Sequence, residues 1–556
     1  MNSGAPVWSP LWRQQLLSEL KASREEWDML IVGGGITGAG IYREATRLGL
    51  KVLLLEQQDF AWGTSSRSSK MVHGGLRYLG TGQFSLANDS VKERQTLMNE
   101  LPGLVNPLPF MMGHYKGMFP GPWLFDKVLT LYDWMAGHRY RQFFSEGIAD
   151  FLVPGLNLAQ LKGVTQFADA EVDDARLVLR VLHEGNNAGG SAVNYLRAVD
   201  TLRDSGRVSG LRVEDQLTQE QFNIAAKVVV NASGAWTDEL RQTLGQHKVI
   251  RPLRGSHLVV PFWRLPVSYA VSFFHPDDKR PVFVFPWEGV SVIGTTDLDH
   301  SQNLAHEAAI TESEIDYLLG AANLQFPEAH LDVSDVRASW SGVRPVVSKN
   351  QDKAVDSSVA NKPSDEKREH AIWDDNGLVS VAGGKLTTFR LIALDVLKKA
   401  IPYLPQESTI KDLNQASHFE FSRLPENGAC LTLAQKERLH GRYGRHATQL
   451  IAQAEADSPD RLGKIVTSDT LWAELVWCCQ SESVQHLDDL LLRRTRIGLL
   501  LKQGGESIFE NVRQICQRYL GWDDAKWSEE LERYRQIIVQ YYGLPDTLVA
   551  GGMARG

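Results

Sequence analysis

Leu16, Leu17 and Leu20 recur at helical spacing among polar residues, which predicts a short leading helix packed on the domain that follows. The run Asp28-Met29-Leu30-Ile31-Val32 then reads as a buried strand. It passes directly into Gly33-Gly34-Gly35-Ile36-Thr37-Gly38-Ala39-Gly40 and a helical pattern through Ile41, Ala45 and Leu48. A second apolar strand over 51–55 ends on Glu56. Strand, glycine turn, helix, strand and acid in this order form a βαβ unit with a parallel sheet. Over 101–122 Pro, Gly and Met take over, marking a departure into an inserted or neighbouring domain. Residues 228–232 predict another buried strand. The pieces 258–261, 282–285 and 290–294 are short and β-rich between Pro and Gly, so the second domain is expected to be mainly antiparallel. The polar stretch 348–367 predicts an exposed loop. After Pro405 the pattern turns helical, rich in Leu, Arg, Gln and Glu, and predicts a separate helical domain ahead of a Gly-rich tail.

Length and charge narrow the field. At ~150 residues per domain, 556 residues suit about three to four domains. With 43% hydrophobic and 23% charged residues the chain is an ordinary globular one, which excludes collagen-like, coiled-coil and largely disordered classes. A net charge of -8 argues against nucleic acid as a partner. Cys430, Cys478, Cys479 and Cys516 have no CxxC spacing and no paired His cluster, so neither a disulfide framework nor a metal site is expected, and a reducing, cytoplasmic setting fits. No run of ~18 apolar residues and no signal-like h-region occur, so any membrane contact is expected to be peripheral.

Gly33, Gly35 and Gly38 have GxGxxG spacing: one glycine for the tight turn, one for backbone approach to a pyrophosphate, one for close helix–strand packing. The helix that follows presents free N–H groups and a positive dipole end to that phosphate. Glu56, 18 residues past Gly38, can accept both hydroxyls of an adenosine ribose. Dinucleotide binding is the expectation, a merely structural turn the alternative. The turn leaves FAD and NAD open.

The segment Thr64-Ser65-Ser66-Arg67-Ser68-Ser69-Lys70-Met71-Val72-His73-Gly74-Gly75-Leu76-Arg77-Tyr78 closely resembles the serine-rich loop of FAD-dependent, quinone-linked glycerol-3-phosphate dehydrogenases. Similar pieces follow in that family's order: Asp173-Asp174-Ala175-Arg176, Asn231-Ala232-Ser233-Gly234-Ala235-Trp236, Gly255-Ser256-His257, Ile293-Gly294-Thr295-Thr296-Asp297, Ser341-Gly342-Val343-Arg344-Pro345 and Gly383-Gly384-Lys385-Leu386-Thr387-Thr388. The resemblance is strong over roughly 27–400 and looser over 486–498. It implies FAD as cofactor and membrane quinone as electron acceptor. It also implies an α/β fold of glutathione-reductase/D-amino-acid-oxidase type: a Rossmann-like FAD-binding domain, an antiparallel-sheet substrate domain and a C-terminal all-α domain. The expected partition is a leading helix over 1–27, FAD-binding parts at 28–110, 166–255 and 370–404, substrate parts at 111–165 and 256–369, the helical domain at 405–550 and a tail at 551–556. Arg254 stands where the family often has Lys, and Gly80 where Glu is frequent.

Oxidation of a secondary alcohol by a flavin needs a hydride to leave the substrate carbon while a base takes the hydroxyl proton. His257 is the base candidate, since an ordinary imidazole pKa near ~6.5 permits proton acceptance at neutral pH. A structural or purely binding histidine is the alternative. Arg344 would stabilise the developing alkoxide, or instead sit in a buried ion pair. Which of the two takes the proton stays open here. A doubly charged phosphate ester calls for cationic donors, for which Arg77 and Lys385 are the natural choices, with Tyr78 and Thr388 as helpers. For the cofactor the resemblance points to Thr64, Ser65, Ser66, Ser69 and Lys70, with His73 and Gly74 close by. It adds Ser233, Gly234 and Trp236, and the loop Gly384, Leu386 and Thr387.

The expected reaction is oxidation of sn-glycerol 3-phosphate to dihydroxyacetone phosphate, with electrons passed to quinone. An oxygen-using oxidase and a flavin-loaded sensor without turnover are the rivals. The stretch 487–501 mixes leucines with three arginines, which reads first as core plus solvated face and alternatively as contact with anionic lipid. Cys478-Cys479 reads as a buried pair. The expected location is the inner face of the cell membrane, held peripherally by its anionic surface. Pairing with a second copy as a homodimer is left open.

Overall fold

Trp27–Val32 and Val52–Leu55 are buried nearly throughout and pair in parallel, the near-continuous apolar pattern of a sheet covered on both faces. The computed structural model describes residues 6–23, 25–80, 82–348, 370–405, 413 and 415–545. Within them, the parallel strands of the first sheet run in the order Leu378–Ala382, Gln221–Asn231, Trp27–Val32, Val52–Leu55, Ser191–Val193. Ala371–Asp374 closes one edge antiparallel, and the hairpin of Leu196–Asp204 with Arg207–Asp215 extends Gln221–Asn231. Ile36–Arg47 packs between Asp174–Asn187 and Phe389–Ala400.

The leading helix is Pro10–Ala22, and Trp12, Leu16, Leu17 and Leu20 join the apolar core of this sheet. Two polar anchors fix it: Trp8 Nε1 donates to the Ala192 carbonyl at 2.7 Å, and Arg13 pairs with Asp215 at 2.7 Å.

The second sheet has ten strands and is mainly antiparallel. Val105–Tyr115 pairs with Leu161–Val172, while Ile250–Pro261 lies between Val290–Gly294 and Ala338–Val347. The borders expected at 110/111, 165/166 and 255/256 fall inside these long strands. Each strand belongs to the ten-stranded sheet as a unit, because its pairing continues across the border. The piece expected at 258–261 is only the end of Ile250–Pro261; Arg254, Gly255, Ser256 and His257 interrupt the apolar run without interrupting the ladder.

The C-terminal part is helical, and although Leu439, Leu450, Ile451 and Trp477 belong to an apolar cluster of its own, a second cluster is shared. Leu475, Leu487, Leu491, Val512 and Ile515 share one apolar cluster with Phe110, Phe167, Val259, Trp287 and Trp340 of the ten-stranded sheet. The stretch 487–501 lies inside this junction. Its π-helical turn Asp489–Arg494 is buried throughout, and Arg493, Arg494 and Arg496 are at most 2% exposed. Charges so buried need partners. Arg493 and Arg494 reach Asp59 at 2.5 and 2.6 Å, Arg493 also pairs with Asp488 and Asp489 at 2.6 Å, and Arg496 pairs with Asp173 at 3.0 Å and with Asp174. These arginines face carboxylates, so the lipid-contact alternative for 487–501 is withdrawn. Cys478 and Cys479 are buried and free of disulfide. Among the described residues no helix is long and apolar enough to cross a membrane. Apart from Ser348, the polar stretch at 348–367 lies outside the described residues, as does the tail at 551–556.

Candidate active site

The glycine turn is enforced sterically. Gly33 has φ +113°, and a Cβ there would lie 2.5 Å from the Ala232 carbonyl oxygen; at Gly38 one would lie 1.9 Å from the Gly33 oxygen. Gly35 opens the helix Ile36–Arg47, whose first N–H, that of Ile36, donates to Ser65 Oγ at 3.0 Å. The Glu56 carboxyl accepts from the N–H of Gly34 at 2.7 Å and of Gln58 at 2.8 Å. Burial nevertheless pushes its pKa up to about 7.

These groups border a cavity of about 530 Å³, within the range of small-molecule and cofactor sites. Gly33, Gly35 and Glu56 form one part of its wall, and Thr64 and Ser65 another. Ser233, Gly234 and Trp236 contribute from the end of Gln221–Asn231. Gly384, Lys385 and Leu386 contribute from the turn after Leu378–Ala382. Chain ends of four parallel strands thus converge on one hollow, the place where sheets of this kind bind nucleotides. Its volume, its helix N-terminus and its ribose-facing acid fit FAD. Arg197, Glu239 and Trp62 also line it and were not singled out from the sequence. Arg197 and Glu239 come from elements that meet only in three dimensions, 3.8 Å apart, and carry no local signal. Trp62 stands two positions before the serine-rich segment and could have been read as its extension.

Ser66, Lys70, His73 and Gly74 do not border this cavity. Lys70 is wholly buried; its Nζ donates to the Ser66 carbonyl at 2.9 Å, pairs with Asp174 at 3.0 Å and lies 4.5 Å from the Trp340 ring centre. Burial lowers its pKa to about 8, with the nearby Arg496 charge adding to the effect. Lys70 braces the serine loop from behind and does not line the cavity. Gly74 donates its N–H to Asp169 at 2.9 Å, and a Cβ there would strike the Tyr132 hydroxyl at 2.3 Å, so Tyr132 alone requires its smallness. His73 offers its carbonyl to Thr387 Oγ1 at 3.1 Å, joining two loops. Ser66 is buried beside Gly63, and Thr64 Oγ1 donates to the Val343 carbonyl.

The alternation of side chains along Ile250–Pro261 brings the candidate base and cation to one face. His257 is 1% exposed, stacks on Trp340 and meets Ser69 Oγ through Nε2 at 2.9 Å. Burial holds its pKa well below the ordinary 6.5, and the Arg344 and Lys70 charges push the same way, so the imidazole is neutral at pH 7. Two positions earlier, a Cβ on Gly255 would lie 2.5 Å from Arg344 Nη2. Arg344 donates to Asp297 at 2.8 Å and Thr295 Oγ1 at 3.4 Å, and its neighbour Pro345 lines the cavity. Arg254, the departure from the family pattern, keeps the family's positive charge and pairs with Glu314 at 2.8 Å on the opposite face.

A second cationic group sits on the Lys385 loop. Lys385 Nζ lies 3.5 Å from the Tyr78 ring centre and 3.3 Å from Ser90 Oγ, while Thr388 is buried just before Phe389–Ala400. Arg77 falls in the helix Leu76–Gly80, and its side chain lies outside the described residues. Among the described residues no cluster of His, Cys, Asp and Glu suits a metal ion.

A wide parallel sheet joined to an antiparallel one, with a glycine turn and acid at its strand ends, defines a flavoprotein oxidoreductase, and residues 28–390 match the family described as FAD dependent oxidoreductase. Residues 408–527 match the C-terminal domain of alpha-glycerophosphate oxidase. Aerobic glycerol-3-phosphate dehydrogenase of Staphylococcus haemolyticus is 34% identical over 498 residues, covering 85% of this chain and 87% of that protein. Glycerol-3-phosphate dehydrogenase 2 of Mycobacterium bovis is 34% identical over 541 residues, covering 94% and 89%. The crystal structure of glycerol-3-phosphate dehydrogenase from Bacillus halodurans complexed with FAD superimposes with a TM-score of 0.73 at 26% identity, covering 96% of this chain and 99% of that one. L-alpha-glycerophosphate oxidase from Mycoplasma pneumoniae shares the fold, with a TM-score of 0.53 at 19% identity over 68% of this chain and 95% of its own. The chain belongs to the FAD-dependent glycerol-3-phosphate dehydrogenase family.

Proposed function

We propose that the protein oxidises sn-glycerol 3-phosphate to dihydroxyacetone phosphate and passes the electrons to a membrane quinone. The observation that carries this reading is a neutral, buried His257 on the same sheet face as Arg344 of the neighbouring strand, whose next residue, Pro345, lines the same cavity as Lys385. FAD, when bound, supplies the hydride acceptor. The Gly33–Gly35 turn, Glu56, Thr64, Ser65, Ser233, Gly234, Trp236, Gly384 and Leu386 would hold it.

The chain's own groups then divide the remaining work. As the C2–H bond gives up its hydride, the C2 hydroxyl proton passes to a nitrogen of His257, and the carbon is left as a ketone. Arg344 keeps its proton at any accessible pH, so it serves as the charge that offsets the developing alkoxide, and the acceptor role goes to His257. Lys385 provides a point charge for the phosphate, with Arg77, Tyr78 and Thr388 assigned beside it.

Anaerobic addition of sn-glycerol 3-phosphate to the FAD-loaded protein should bleach the flavin. A flavin that stays yellow would favour a sensor without turnover. The match of 408–527 to an oxidase domain keeps oxygen as the rival acceptor. Dye or quinone reduction exceeding oxygen uptake supports the dehydrogenase, whereas dominant peroxide formation would overturn the quinone assignment.

We place the protein peripherally on the inner face of the cell membrane. The segment between Val105–Tyr115 and Leu161–Val172 leaves Phe119, Trp123, Trp134 and Phe151 between 73% and 83% exposed. Lys116, Lys127 and Arg139 are exposed on the same segment, as are Glu146 and Asp150. Exposed aromatic rings of this kind suit the headgroup region of a bilayer.

A further inference from the structure

Glu314 lies in the first turn of the helix Glu312–Gln325, where its Oε2 accepts from the backbone N–H of Thr311 at 3.0 Å and from Thr311 Oγ1 at 2.9 Å. That much is an ordinary helix cap. The other oxygen is turned into the ten-stranded sheet, where Oε1 accepts from Ser256 Oγ at 2.8 Å and from Thr296 Oγ1 at 2.7 Å. Arg254 also donates to Oε2 at 2.8 Å and compensates the charge. Although burial opposes ionisation, the bond from Thr296 and the charge of Arg254 hold this carboxyl below its usual range.

The two inward partners are the immediate neighbours of the chemistry. Ser256 precedes His257, and its side chain points to the opposite face of the same strand. Thr296 precedes Asp297, which accepts the 2.8 Å bond from Arg344. The pair is further cross-linked: the Ser256 N–H donates to Thr296 Oγ1 at 2.9 Å, and Ser256 Oγ lies 2.7 Å from Ser341 Oγ on Ala338–Val347, the strand that carries Arg344. Glu314, Ser256, Thr296 and Ser341 are all buried, so a lost bond here is not replaced by bulk water.

We propose that Glu314 is a positioning residue: one buried carboxylate fixes both the strand of His257 and the turn of Asp297, so that proton acceptor and cation are held in register by a group that touches neither. This rests on the proposed function for its catalytic consequence, but the geometric consequence stands apart from it.

The test uses the full FAD-loaded chain. In Glu314→Gln, flavin content should be kept while anaerobic flavin reduction at saturating sn-glycerol 3-phosphate slows by about 10- to 100-fold, the scale expected of a misplaced catalytic group. KM should move by less than about threefold, because the loss falls on the transition state. Combined with Arg344→Lys, the double variant should lose less than the product of the two single losses, since both act through one placement. Independently, with isotope-labelled histidine, the resonance assigned to His257 by its loss in His257→Asn should shift or split in Glu314→Gln. A wild-type reduction rate, fully multiplicative losses or an unmoved His257 resonance would each overturn the proposal. Should Glu314→Gln fail to load FAD, Thr296→Val, which removes the inward bond to Glu314 and the acceptor of the Ser256 N–H but leaves the helix cap, is judged by the same criteria. If substrate leaves even the wild-type flavin yellow, the functional reading falls, and the His257 resonance still decides the positioning role.

Discussion

His257 lies nearly face to face with Trp340, ring centroids 4.9 Å apart and planes 16° from parallel, while its Nε2 meets Ser69 at 2.9 Å. Stacking and hydrogen bond together leave the imidazole one orientation. His257→Ala and Arg344→Ala should therefore both keep bound FAD yet slow anaerobic flavin reduction by roughly two orders of magnitude, the usual loss for a general base or an electrostatic stabiliser. Stopped-flow bleaching at saturating substrate measures this, and wild-type rates in either variant would remove that residue from the chemistry.

The pH dependence follows from the same burial. His257 has its pKa held well below 6.5 by burial and then by Arg344 and Lys70, so it stays unprotonated on mild acidification. The rate of flavin reduction should be flat from pH 8 down through pH 6.5 and fall only at lower pH; a half-maximal point at or above pH 6.5 contradicts the assignment. Stability carries the same sign. His183 is lowered by burial and His446, lowered to about 3, is another buried case, so between the native and unfolded pKa values the unfolded chain binds more protons. The stability that these two imidazoles contribute should shrink as pH falls below about 6.5, the unfolded imidazole value, while Glu171, raised to about 8 by burial, contributes with the opposite sign; comparing the pH dependence of the melting temperature in wild type and His183→Phe isolates the imidazole part.

Glu56 moves the opposite way. Its pKa of about 7 means that part of the population is protonated at neutral pH. A carboxylate accepts ribose hydroxyl protons better than a carboxylic acid does, so FAD should rebind to apoprotein more tightly at pH 8 than at pH 6. In Glu56→Gln the dependence should flatten and affinity should fall by about tenfold, corresponding to one lost charge-assisted hydrogen bond. Fluorescence quenching of FAD during titration reads both.

Much of this was legible in the chain itself. The glycine turn, the flanking strands and Glu56 are a local pattern, and local sterics at Gly33 and Gly38 make it binding on the structure. The serine-rich segment was legible as a polar loop, and Thr64 and Ser65 do line the cavity, but the division of labour within it was not legible. Lys70 turns away because Asp174, more than a hundred residues later, supplies a buried partner. Gly74 is small because of Tyr132. Arg197, Glu239 and Glu314 were missed for a related reason: each acquires its role from a neighbour brought up by the sheets, with nothing adjacent in sequence to mark it. The long strands were shortened in the reading because polar residues such as Arg254 and Ser256 are buried in paired positions, where hydrogen bonds to Glu314 replace hydrophobicity.

For the membrane surface, Trp123→Ser, Trp134→Ser and Phe151→Ser combined should reduce co-sedimentation with anionic vesicles several-fold. Each ring is highly exposed, so its removal should cost little stability and leave substrate bleaching of the flavin intact. Unchanged sedimentation would move the docking face elsewhere.

Arg496 also reaches the Ser66 carbonyl, 3.0 Å away and 430 positions earlier, and with Arg493 and Arg494 it neutralises Asp59 and Asp174 beneath the flavin loop. The serine-rich loop is therefore braced from behind by nearly the last tenth of the polypeptide. During synthesis the N-terminal half would wait with Asp59 and Asp174 lacking these arginine partners, and a truncation before residue 490 should yield colourless, aggregation-prone material instead of a smaller yellow enzyme.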